Sequence, residues 1–128
     1  MPGNISPIAI GLLVALGGAI GASMRFWLSV TLAEFLGTHL PAATFTVNVA
    51  GSFIIGLFAI LIGGNQTLTA FAMTGILGGF TTFSTFSLET VRLLEEGRIV
   101  HGLAYAGASV VTCVIAAALG MAAARALS

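Results

Sequence analysis

The chain has 128 residues, of which 58% are hydrophobic and 6% charged, where an ordinary soluble domain carries roughly 25% charged residues. A water-soluble globule is excluded on that ground. Four arginines balance four acids and lysine is absent, so no basic face can neutralise phosphates, and nucleic acid is excluded as a partner.

The eight charges are Arg25, Glu34, Glu89, Arg92, Glu95, Glu96, Arg98 and Arg125, and residues 1–24, 35–88 and 99–124 carry none. A bilayer core of about 30 Å takes about 20 apolar residues per helix. The middle stretch is more than twice that length and must fold back. Gly63-Gly64-Asn65-Gln66-Thr67 interrupts it with glycine and polar residues suited to a tight connection. The expectation is an all-α membrane protein: one transmembrane domain over residues 1–128, with four helices at about 8–32, 42–62, 68–94 and 99–126.

The first helix has no basic segment before it and is read as part of the mature protein rather than a signal peptide. Pro7 suits its first turn, and Ser6 or Asn4 can cap it. Arg25 falls roughly 26 Å along this helix from Ile8, near the far interface, and is read as an anchor beside Trp27. Gly17 and Gly21, Gly75 and Gly79, and Ala104 and Ala108 are spaced four apart, as close helix packing in lipid requires.

The second span carries Thr46, Asn48 and Ser52 in an otherwise apolar run. The third contains residues 78–87, Gly-Gly-Phe-Thr-Thr-Phe-Ser-Thr-Phe-Ser, whose helix propensity is poor throughout. A break at membrane depth is tolerated only where protein, water or an ion meets the freed backbone groups. The third helix is therefore expected to be broken and functional. In the fourth span Tyr105, Ser109 and Thr112 follow an i, i+4, i+7 face.

Ser84, Thr85, Ser109, Asn48 and Tyr105 can each donate a hydrogen bond, and no fixed positive charge accompanies them mid-membrane. A small anion suits such a set. The edges of Phe83 and Phe86 carry the positive end of the ring quadrupole and can face an anion too. Cys113 has no disulfide partner and lies in an apolar helix, while His39 and His101 lack further ligands at metal-binding spacing. No hydrolase, P-loop or dinucleotide motif is present, and no enzyme activity is expected.

Gly17-Gly18-Ala19-Ile20-Gly21-Ala22-Ser23-Met24-Arg25-Phe26, Thr46-Val47-Asn48-Val49-Ala50-Gly51-Ser52 and the decapeptide from Gly78 to Ser87 together resemble the small fluoride channels called Fluc or CrcB. The resemblance spans the whole chain, and the decapeptide is its most specific part. It implies an inverted, dual-topology homodimer in a bacterial inner membrane, with two fluoride pores along the subunit interface. It further implies passive export of cytoplasmic fluoride. Phe83 and Phe86 would line the path, Ser84 and Thr85 would be the adjoining hydroxyls, and Thr46 with Asn48 would be the second-helix contribution. Tyr105 and Ser109 would start a polar rail on the fourth helix. The family usually places Ser or Thr one turn after Ser109, where this chain has Cys113, so either Thr112 or Cys113 completes the rail. A structural sodium ion at the dimer centre, held by main-chain carbonyls of Gly78 and Thr81, is also implied. Glu89, Arg92, Glu95, Glu96 and Arg98 are read as marking the membrane surface, where Glu89 could touch a pore mouth.

Charge allows either orientation: Arg25, Arg92 and Arg98 fall on one face and Arg125 on the other, a weak bias under the positive-inside rule. Two alternatives are a proton-coupled exporter resembling small multidrug transporters and a structural membrane subunit. The first would need a carboxylate within the first helix, and residues 8–32 contain none. The second leaves the decapeptide without a purpose.

Overall fold

A computed structural model describes residues 4–38 and 40–128, so His39 and the first three residues lie outside it. Ser6 accepts from the amide of Ala9 at 3.2 Å and opens α1, Pro7–Leu36, with Pro7 in the first turn as expected. The helix runs one turn beyond its predicted end. It stops at Gly37, whose φ of 77° is open to glycine at little cost. Helix α2, Ala42–Leu61, ends at the predicted turn, where the Asn65 side chain accepts from the amide of Leu68 at 3.0 Å.

The third segment departs most from a simple rod. We label as α3 residues 66–80, in which short α-helical ends, Gln66–Leu68 and Gly78–Phe80, flank a π-helix at Thr69–Leu77. The chain is then extended at Thr81 (ψ 157°) and Thr82 (ψ 111°) before α4, Phe83–Glu95. The expected break is present, inside the decapeptide. Helix α5 spans Ile99–Leu127. Among the described residues, α1, α2 and α5 are each long and apolar enough to cross a membrane.

Two close-packed pairs build the core, and both depend on missing side chains. A methyl on Gly17 or Gly21 of α1 would overlap the carbonyl oxygen of Phe71 or Ile76 in α3, while one on Gly79 would lie 2.7 Å from the oxygen of Gly18. The π-helix sets this phase, because its wider turn presents Phe71, Gly75 and Ile76 on one side. On the other side of the molecule α2 packs on α5 through Gly56 and Gly120, which meet Ala117 and Phe53 backbone. The predicted pair Ala104 and Ala108 is exposed instead. Close backbone approach supplies the association that burial of apolar surface cannot supply in lipid.

Arg25 needs a correction. It does not merely anchor the helix beside Trp27, because its Nε donates to the carbonyl of Gly79 at 3.1 Å. That carbonyl belongs to the last turn before the break, where intrahelical donors run out. Arg25→Gln removes a charge-assisted bond of about 1.5–3 kcal/mol. The midpoint of unfolding in detergent is expected to fall accordingly, with Arg25→Lys falling less; an unchanged midpoint for Gln would show that the contact does not hold the break.

Candidate functional site

The break is held from α2. Asn48 donates its Nδ2 to the carbonyl of Thr82 at 3.0 Å and accepts from the amide of Thr82 at 2.8 Å, so one side chain satisfies both backbone groups of a half-buried residue. The Thr81 amide and hydroxyl both donate to the carbonyl of Leu77, at 3.0 and 2.9 Å. The Thr82 hydroxyl accepts from the amide of Thr85 at 3.2 Å and donates to the Thr85 hydroxyl at 3.0 Å, capping α4. Capping by a Thr hydroxyl is what lets a helix restart two residues after another has stopped.

Restarting here turns successive residues of α4 toward two cavities. Thr85 faces the first, of about 590 Å³, whose wall includes Thr44, Glu89, Arg92, Glu96 and Arg98. The Thr44 hydroxyl donates to Glu89 Oε1 at 2.5 Å. Arg98 pairs with Glu96 at 3.9 Å. Phe86 faces the second, of about 420 Å³, together with Asn48, Thr82, Phe83, Ser109 and Cys113.

The aromatic rings form a short series. Phe86 lies 5.3 Å from Phe83 and 5.2 Å from Tyr105 between centroids, tilted by 51° and 52°. Phe86 is buried, whereas Phe83, at the edge of the cavity, is 75% exposed. Such a ring at membrane depth meets either lipid or another protein surface.

Ser109 is the least expected feature. The helical hydroxyls of Thr31, Thr46, Ser87 and Thr90 turn back onto the carbonyl four residues earlier. Ser109 is 6% exposed, yet among the described residues its Oγ has no partner, while the buried hydroxyl of Tyr105 stands close to Glu89 and Thr44. A buried hydroxyl without a partner is costly unless something else occupies the adjoining space.

Of the residues anticipated from sequence, Asn48, Thr81, Phe83, Phe86 and Ser109 share the second cavity, and Thr85 lies on the first. Thr46 turns its hydroxyl onto Ala42, Ser84 is exposed beside Thr82, and Tyr105 reaches the site through Phe86. Cys113, rather than Thr112, continues the wall after Ser109. Thr44 was missed. It stands with Asn48 and Ser52 at i, i+4, i+8, a single helix face, whereas Thr46 is two residues off that face.

Residues 12–121 match the family described as CrcB-like protein, Camphor Resistance (CrcB). The chain belongs to the CrcB family. Similar CrcB relatives include the fluoride-specific ion channel FluC of a Ruegeria species, 49% identical with 88% of this chain and 91% of the relative covered. The fluoride-specific ion channel FluC of Cereibacter sphaeroides is 46% identical, covering 89% and 93%, and that of Rhizobium meliloti 42%, covering 91% and 96%. With three apolar helices of spanning length, this CrcB protein is a multi-pass membrane protein.

Proposed function

We propose that this protein is a passive, fluoride-selective channel that exports cytoplasmic fluoride across a bacterial inner membrane. The observation that carries the reading is the broken third segment, which brings hydroxyl, amide and aromatic-edge donors to a cavity where the Ser109 hydroxyl has no partner among the described residues. Uncharged donors in a narrow site can replace part of the hydration shell of a small anion, yet hold it weakly enough to release it. Asn48, Phe83, Phe86 and Ser109 act in this cavity, with Thr85 on the approach from the wider one. Ser84, Tyr105, Thr112 and Thr46 complete the anticipated polar set. No reaction is catalysed.

The chain folds as one transmembrane domain with four passes, the third broken, and pairs with an inverted copy. Phe83 supports that pairing, because its exposed ring at the site calls for a second protein surface to close the path. Gly78 supports it too: it is exposed, and the nearest atom to a methyl built there is 3.8 Å away. Main-chain carbonyls of Gly78 and Thr81, freed where α3 ends, are hard oxygen donors that suit a structural sodium ion at the dyad. That ion would supply fixed positive charge between the subunits. Tagging one terminus and probing from a single side tests the topology; every copy facing one way would contradict the inverted pair.

A proton-coupled exporter is not favoured. The one acid in α1, Glu34, is exposed in the last turns of the helix and not at mid-membrane. Liposomes loaded with fluoride or chloride and treated with a potassium ionophore separate the readings. Fluoride is expected to leave quickly without a pH gradient while chloride stays. Dependence on a proton gradient would favour the exporter, and no release at all would favour a structural subunit.

Phe83→Ile is expected to slow fluoride release by up to roughly tenfold while the dimer survives, since an aromatic edge contact is worth about 0.5–1.5 kcal/mol. The aliphatic side chain fills similar volume without the polarised edge. Equal release rates for the variant and the parent, with size-exclusion profiles matched, would remove the ring from the path.

A further inference from the structure

We infer that Cys113 is a thiol on the wall of the permeation cavity and makes the pore a binding site for soft metal ions such as mercuric ion. The inference rests on the reading of that cavity as the fluoride path.

Cys113 follows Ser109 by one turn of α5 and lines the same cavity, which it shares with Asn48 from α2 and with Phe83 and Phe86 from α4. It is half-buried and free, and it is the single cysteine of the chain. A cysteine in an apolar helix is ordinarily a small hydrophobe. Ser109 argues against that here. Ser109 is 6% exposed and its hydroxyl has no partner among the described residues, unlike those of Thr46 and Thr90, which turn back onto their own backbone. The face of α5 that carries Ser109 therefore borders the cavity with an unsatisfied polar group, and Cys113, half-buried, lines the same cavity one turn on.

A thiol in that position has chemistry that a hydroxyl lacks. Soft divalent metals bind thiolate in preference to oxygen. Mercuric chloride, which is neutral, can reach the cavity. The S–H bond breaks, an S–Hg bond forms, chloride leaves mercury and the proton goes to water, with no change of oxidation state. The bound metal with its remaining chloride occupies the lane beside Phe86 and Ser109.

The test uses the full-length protein in liposomes. Mercuric chloride is expected to cut fluoride efflux at least tenfold, and excess dithiothreitol is expected to restore it. Intact-mass measurement on the same samples should show one mercury per chain. Cys113→Ser and Cys113→Ala, each measured against its own mercury-free efflux rate, should carry no mercury adduct and lose no flux when mercuric chloride is added. A parent protein that conducts fluoride but neither binds mercury nor loses flux would overturn the inference and leave the channel reading intact. Block that persists in both variants would also overturn it. Absence of fluoride efflux before mercury is added would defeat the channel reading and the inference with it, whatever the adduct mass.

Discussion

Asn48→Ala is expected to abolish fluoride conduction and to cost more stability than any other polar substitution at the site. Both bonds between Asn48 and Thr82 are lost together, leaving an amide and a carbonyl of one residue unpaired. Each buried group left without its partner costs about 1–3 kcal/mol, and hydrocarbon offers no replacement donors. The loss reaches the site because Thr82 also caps α4 through the amide of Thr85. When Thr82 shifts, the first turn of α4 shifts with it, and Thr85 and Phe86 leave their cavities. Asn48→Asp keeps an acceptor for the amide and loses the donor to the carbonyl, so it should fall between Ala and the parent. Thermal unfolding in detergent and fluoride efflux, measured on one preparation, check both statements. A parent-like melting temperature for Asn48→Ala would mean that the break is held by something else.

Gly21→Ala is expected to be as damaging through packing alone. The added methyl would overlap the carbonyl oxygen of Ile76, and its next neighbours are also backbone atoms, which cannot swing aside as a side-chain tip would. Helix α1 must separate from the π-helix, at a cost of about 1–3 kcal/mol or more for overpacking. Separation also pulls Arg25 away from Gly79, since Arg25 lies one turn along the same helix. Gly11→Ala provides the control, because nothing lies within 4 Å of a methyl there. That variant should match or slightly exceed the parent, as alanine gains up to about 1 kcal/mol over glycine in a helix. Equal melting temperatures for the two variants would refute the packing account.

Much of the architecture could be read along the chain because lipid makes simple demands. Charge-free stretches of sufficient length had to be helices, and the polar interruption at residues 63–67 had to be a turn. The break within the decapeptide was equally legible: glycines, Thr pairs and a density of hydroxyls are poor helix formers set where a helix is otherwise compulsory. The partners of that break were not. Asn48 and Thr82 are 34 positions apart, and Arg25 and Gly79 are 54 apart. Periodicity along one helix cannot say which distant backbone group a polar side chain will meet, so the sequence shows Asn48 as a donor and the fold shows that it grips the chain.

The π-helix had no signal at all. Thr-Ala-Phe-Ala-Met-Thr-Gly-Ile-Leu reads as an ordinary apolar helix, and nothing in its own residues announces the wider turn that meets Gly17 and Gly21. Such segments are rare and gather at functional sites, and this one delivers the residues that precede the break. Thr44 was hidden for a different reason. Thr46 is the hydroxyl nearest Asn48 in sequence, but a residue two positions away on a helix faces away from it, while one four positions away faces with it.

The most direct test of a fluoride path through uncharged donors is the reversal potential of the purified protein in a planar bilayer. With chloride equal on both sides and a tenfold gradient of fluoride, the current should reverse at the fluoride equilibrium potential, about 59 mV from zero for a single charge. A reversal at zero, or one that moves with a chloride gradient instead, would contradict the account.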